Sequence, residues 1–153
     1  MSKVEQRLAA EGFQLPTAPA PAAAYVPAVR TGNLVFISGQ GTMVNGEWTY
    51  QGRVGEKYTL EEGYKAAQVA ILNALAVLKQ EIGDLDRVKR IVKVLGWVNC
   101  PETFNQQPYV INGASELLEK VFGERGKHAR SAVSAHTLPF DTTVEIEMIV
   151  EVE

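Results

Sequence analysis

Cysteine is nearly absent from this 153-residue chain: Cys100 stands alone, so no intramolecular disulfide can form and no cysteine cage for a metal can be built. Histidine is almost as scarce. His128 and His136 have no Cys, His or Asp at metal-ligand spacing, so no zinc site and no other cofactor is expected. An excess of positive charge is missing too, since 15 Lys and Arg face 18 Asp and Glu for a formal charge of -3. No overall basic field invites a polyanion, which disfavours nucleic acid as a partner. No uninterrupted apolar stretch approaches the roughly 20 residues of a membrane helix, and Met1 to Gly12 scatters charges where a secretory leader has an apolar core. A cytoplasmic protein with no membrane partner is expected.

With 46% hydrophobic residues the chain can bury one substantial core, and a second full domain does not fit its length. Val4, Leu8 and the Ala9-Ala10 pair recur at helical spacing, predicting a short helix over 3–11, stopped by Gly12 and acting as a flap or arm. Leu15 to Ala24 then carries Pro16, Pro19 and Pro21, whose fixed φ and missing N–H make an extended connector. Residues 1–21 are thus read as an N-terminal helix and connector, and 22–153 as the globular domain. Tyr25–Val29 and Asn33–Ser38 read as a hairpin about Arg30-Thr31-Gly32, and Asn45-Gly46 turns the chain into a third strand.

Thr59 and Glu62 have the spacing of a capping box, and Ala67, Ala70, Ile71, Ala74, Leu75, Leu78 and Ile82 keep one apolar face up to Gly83. Val88–Val98, rich in Val, Ile and Leu, has the composition of a central buried strand, reached by a parallel crossover. A second helix over Pro108–Phe122 and two final strands, about 132–137 and 143–152, follow. In the last strand Val144, Ile146, Met148, Val150 and Val152 share one face, and Glu145, Glu147, Glu151 and Glu153 the other. The sum is an α+β sandwich: a mixed sheet of six strands with two helices on one face. Helices on one face leave the other either solvated or buried between copies of the chain, and oligomerisation is the preferred reading.

Chemistry concentrates near the C-terminus. Arg130 precedes a short apolar strand and could grip a carboxylate through its planar fork, or sit on the surface in an ion pair with a nearby glutamate. Glu145 could manage a proton or water, or belong to an ordinary solvated acidic face. Gly39, in Ser38-Gly39-Gln40-Gly41, could bring its amide close to a ligand or form a simple bulge; the segment lacks the glycine pattern of a phosphate loop. Tyr25 fits the core or the rim of a site. A hairpin about Pro139-Phe140 would set Glu145 opposite residue 134 and Arg130 opposite 149, roughly 13 Å apart along the ladder. One small ligand reaches both more readily across a subunit interface than within one subunit.

Tyr25-Val26-Pro27-Ala28-Val29, Gly32 through Gln40, Asn112, Arg130-Ser131-Ala132-Val133, Leu138-Pro139 and Val144-Glu145-Ile146-Glu147 together resemble the Rid family, also called YjgF or "endoribonuclease L-PSP". The resemblance spans Ala22 to Glu153, and the N-terminal helix and connector are similar to an extension in a divergent branch. It implies a chorismate-mutase-like fold, a homotrimer with ligand sites in clefts between subunits, and hydrolysis of enamine or imine intermediates such as 2-aminoacrylate to a 2-keto acid and ammonia. Carried over by position, Arg130 binds the substrate carboxylate, Gly39 offers its amide, Glu145 orients water, Tyr25 lines the cleft and Asn112 supports the site. An imine carbon is already electrophilic, so this chemistry can proceed without metal or covalent nucleophile.

Three departures from the family pattern bear on the pocket: Ala132 where active relatives have Cys, His128 where they often have Pro, and the segment Asn105–Pro108. Behind the deaminase stand two other readings. One is a non-catalytic protein that binds small carboxylates such as 2-keto acids, and the other an endoribonuclease, for which the composition offers no basic groove.

Overall fold

A computed structural model describes all residues, Met1–Glu153. Helix α1 (Lys3–Ala10) begins where the Ser2 hydroxyl accepts from the Glu5 amide, and the Asp86 carboxylate takes the Lys3 and Val4 amides at 2.8 and 3.1 Å. Those bonds satisfy N–H groups that every helix start leaves over. Val4 and Leu8 are fully buried in the same core as the rest of the chain. The segment expected as a flap or arm is therefore docked, because its apolar stripe has a place to be buried.

Strands β1 (Ala28–Thr31) and β2 (Leu34–Gln40) form the expected hairpin, turning at Gly32-Asn33. Asn45 and Gly46, at φ of 52° and 83°, turn β3 (Met43–Val44) into β4 (Glu47–Trp48), as the paired positive φ of a tight hairpin requires. Helix α2 (Leu60–Ile82) carries the complete Thr59–Glu62 capping box and ends at Gly83. Then come β5 (Val88–Asn99), α3 (Gln107–Phe122), β6 (Ala129–Ala135) and β7 (Val144–Val152).

The main sheet runs β1-β2-β7-β5-β6, with β5 and β6 parallel and the other pairs antiparallel. It has five strands where six were expected, because β3 and β4 pair only with each other. A second expectation fails more instructively. Strands β6 and β7 do not form a hairpin: β5 lies between them, paired in parallel to β6 and antiparallel to β7. The crossover through α3 fills the outer edge of β5, and the turn at Pro139–Asp141, with Phe140 and Asp141 at positive φ, carries the chain past the end of that strand. Strand β7 thereby gains neighbours on both edges, and it, with its five buried apolar residues, is the central strand.

Helices α2 and α3 cover one face of the sheet. They approach closely at Gly113, where a Cβ would lie 2.1 Å from the Tyr64 carbonyl oxygen, and α3 meets the sheet at Gly96, where a Cβ would lie 2.6 Å from Ile111 Cδ1. The opposite face is open and partly apolar, with Val29, Phe36 and Val133 at 53%, 42% and 38% exposure. No helix is long and apolar enough to cross a membrane.

Candidate functional site

The register of β2 against β7 slips by one residue. Ile37 faces Met148 and Gln40 faces Ile146, so Ser38-Gly39 bulges. Two bonds then pin the chain entering β1 onto this bulge: Ser38 N–H donates to the Pro27 carbonyl at 2.9 Å and Ser38 Oγ to the Val26 carbonyl at 2.8 Å. Tyr25 is held at the rim as a result, 46% exposed, its hydroxyl accepting from the Ala22 amide. Of the two readings open for Tyr25, the core is the one its exposure rules out.

Gly39 lies flat on Glu145. A Cβ at Gly39 would sit 2.8 Å from Oε2 and 2.9 Å from Cδ of that carboxylate, so the glycine is what makes room for it. Glu145 is half-buried and has no hydrogen-bond donor or cation from the protein. Burial, and then the neighbouring charge of Glu147, push its pKa above the ordinary carboxylate value of 4.5. Tyr25, Gly39 and Glu145 line one cleft of about 520 Å³. The connector Pro19–Ala23 walls it on one side, and Trp48 and Phe140, stacked with ring centroids 5.0 Å apart, wall it on another. Trp48 was not among the residues expected at a site, and Phe140 was expected only as part of a turn. Each sits next to a turn, Asn45-Gly46 and Pro139, which was the available signal.

Arg130 sits elsewhere. It is level with Val94 of β5, a residue buried under the helices, so its side chain rises on the helix side of the edge strand β6. There Nη1 donates to Asn112 Oδ1 at 2.9 Å and to Ser115 Oγ at 3.2 Å, and Nη2 donates to the Pro108 carbonyl at 3.3 Å. No carboxylate lies within 4 Å, so the ion-pair reading of Arg130 is set aside. Burial draws its pKa down, yet a guanidinium stays charged in any protein setting. Asn112, expected to support the site, is the residue that accepts from Arg130 Nη1. The departing segment Asn105–Pro108 also has a role here, because it opens α3, and the Pro108 carbonyl in the first turn of that helix accepts from Arg130. Ala132 is level with Gly96 and packs against the core.

The five expected residues thus fall into two groups, Arg130 with Asn112 and Tyr25 with Gly39 and Glu145. Glu145 is level with Trp97, three residues along β5 from Val94 and on the other face of the sheet. That separates the two backbones by roughly 10 Å along β5 and about 10 Å across it. Within one chain the two groups do not converge.

Cys100 is buried, its thiol pushed up by burial, and accepts a long contact from Gln107 Nε2 at 3.6 Å. It packs as a small apolar side chain.

The chain is 41% identical to protein TCP17 of Trypanosoma cruzi over 97% of its own length and 94% of the relative's. It is 30% identical to protein HMF1 of Saccharomyces cerevisiae, over 87% and 88% of the two chains. The crystal structure of Atu1372, a protein of unknown function from Agrobacterium tumefaciens, superposes with a TM-score of 0.94 at 41% identity, covering 99% of this chain and 93% of that one. Residues 5–152 match the model of the "YjgF/chorismate mutase-like, putative endoribonuclease" family, and the chain belongs to that family.

Proposed function

We propose that the protein is an enamine/imine deaminase, acting on intermediates such as 2-aminoacrylate in clefts between the subunits of a homotrimer. The observation that carries this reading is the state of Arg130. Three neutral acceptors take three of its five N–H groups, leaving one on Nε and one on Nη2, a pair suited to a bidentate grip on a carboxylate that the chain itself does not supply. Glu145, with no hydrogen-bond donor or cation from its own chain, faces the open side of the sheet. A second copy packed on that side unites Arg130 of one subunit with Tyr25, Gly39 and Glu145 of the next, and covers Val29, Phe36 and Val133.

Arg130 holds the carboxylate of the imine tautomer so that its C2 faces water on Glu145. Water adds to the C=N carbon of the protonated imine, giving one proton to Glu145 and leaving a neutral amino-alcohol. Glu145 returns that proton to the nitrogen, the C–N bond breaks with its electron pair on nitrogen, and the hydroxyl proton passes to the Glu145 carboxylate, and from there to solvent, as the carbonyl forms. Ammonia and a 2-keto acid result. A ribonuclease fits the site less well, since the cleft carries Glu145 and Glu147 where a phosphodiester would need cations.

The test is release of ammonia and pyruvate from 2-aminoacrylate generated in place by a serine dehydratase. Acceleration by the wild-type protein and none by Arg130→Ala is expected. Pyruvate binding without acceleration would make the protein a carboxylate-binding protein, and neither binding nor acceleration would remove the proposal.

Gly39→Ala probes the carboxylate's position. The atoms in the way are the flexible end of Glu145, so the fold should survive with its thermal midpoint within a few degrees of wild type, while displacement of the carboxylate by about 1 Å should lower kcat about 100-fold. Equal loss of stability and activity would show that the effect is on folding instead.

A further inference from the structure

His128 is one of the residues by which this chain departs from the family pattern, and its contacts lead directly to Arg130. Its Nδ1 lies 2.6 Å from the Gly126 carbonyl oxygen, which can only accept, so Nδ1 carries a hydrogen. Its Nε2 lies 2.9 Å from Ser115 Oγ. In the neutral ring Nε2 is an acceptor, and the Ser115 hydroxyl must donate to it. The Ser115 oxygen is then left with its lone pairs, one of which receives Arg130 Nη1–H at 3.2 Å. Ser115 stands one turn beyond Asn112 on α3, so the two side chains share a helix face and together take both hydrogens of Nη1.

We propose that His128 and Ser115 are positioning residues for Arg130, a neutral His128 orienting the Ser115 hydroxyl so that the guanidinium turns its Nε and Nη2 hydrogens outward to a carboxylate ligand. The inference rests on the reading of Arg130 as the carboxylate grip. An arginine with several χ angles and no fixed acceptors loses rotamer entropy on binding, whereas one held at Nη1 has already lost it. Protonating His128 would reverse the first link. Nε2–H would donate to Ser115, the serine hydrogen would need another acceptor, and a second cation would stand behind the guanidinium. The groups facing the ring favour the neutral form on balance: burial and then Arg130 hold its pKa below the ordinary 6.5, against the Gly126 carbonyl and Glu119, which pull the other way.

The experiment combines imidazole nitrogen NMR with ligand titration on the full chain, whose only other histidine is His136. For His128 the Nδ1–H tautomer is expected, the reverse of the form that predominates in free histidine, titrating below the ordinary 6.5. Ser115→Ala and His128→Leu are expected to weaken pyruvate binding about fivefold to tenfold, as loss of one hydrogen bond of ordinary net strength should, and to raise KM for the imine more than they lower kcat. His128→Gln, whose carboxamide can both donate to Gly126 and accept from Ser115, should restore most of the affinity. An Nε2–H tautomer, or wild-type affinity in Ser115→Ala where Arg130→Ala is impaired, overturns the inference alone. Undiminished pyruvate binding by Arg130→Ala, or none by the wild type, overturns the carboxylate-grip reading beneath it.

Discussion

Glu145→Gln is expected to lower kcat for 2-aminoacrylate hydrolysis by about 100- to 10,000-fold, the range of a positioned acid–base group, and at the same time to raise the thermal midpoint. The two effects have one cause. Glu145 is half-buried beside Glu147 with no cation or donor from its own chain, so its charged form is held in an environment that disfavours it. Its folded-state pKa consequently lies above the 4.5 of an ordinary glutamate. Between those two values the folded chain binds more protons than the unfolded one, and stability falls as pH rises. The wild type should therefore match Glu145→Gln in stability below about pH 4 and become the less stable of the two as pH climbs through the raised pKa, with the difference constant above it. Activity should run the other way, since only the carboxylate can take a proton from water. The wild-type rate should fall on acidification through that same pKa, and the variant's residual rate should be flat there. Thermal melts and initial rates across one pH series test both. A variant that loses stability at neutral pH, or keeps its rate, would show that the charge at Glu145 is not held at a cost for catalysis.

The elements governed by local chemistry were legible in the sequence. The Thr59–Glu62 capping box, the Asn45-Gly46 turn, the stop at Gly83 and the two-faced pattern of β7 each depend on residues within a few positions of one another, and each stands where the pattern puts it. Strand order is a different kind of property. The short interval between β6 and β7 favoured a hairpin, but which edges are free is decided by the whole sheet, and the α3 crossover had placed β5 between them. Likewise, the apolar run of β5 implied burial on both faces, whereas Leu95 and Trp97 lie half-exposed on the open side. The candidate site was legible as residue types and not as an arrangement. Arg130, Asn112, Gly39, Glu145 and Tyr25 could be singled out by type, but their division into two groups and the contacts of Arg130 with Ser115 and the Pro108 carbonyl depend on how α3 lies over β6, which no local pattern encodes.

Mixed trimers carrying Arg130→Ala in some subunits and Glu145→Gln in others are expected to recover activity that neither variant has alone. In one chain Arg130 stands on the helix side of β6 and Glu145 on the open side of β7, with β5 between them. If each site joins Arg130 of one subunit to Glu145 of the next around a three-fold ring, any trimer containing both variants has one interface where an intact Arg130 meets an intact Glu145. Co-expression with two different affinity tags, followed by purification on both, removes the uniform trimers. The remaining mixed population should then show about one third of the wild-type rate per trimer, from one restored site in three. Sites formed within single chains predict no recovery, because every chain would lack one of the two groups. A twofold dimer contributing both groups across its isologous interface would instead restore about half the wild-type rate per assembly, so the recovered fraction reads out the symmetry as well as the division of the site. The double variant, Arg130→Ala with Glu145→Gln in the same chain, supplies the control: mixed with wild type it should dilute activity, and mixed with either single variant it should recover nothing, since none of those mixtures brings an intact pair from two defective chains.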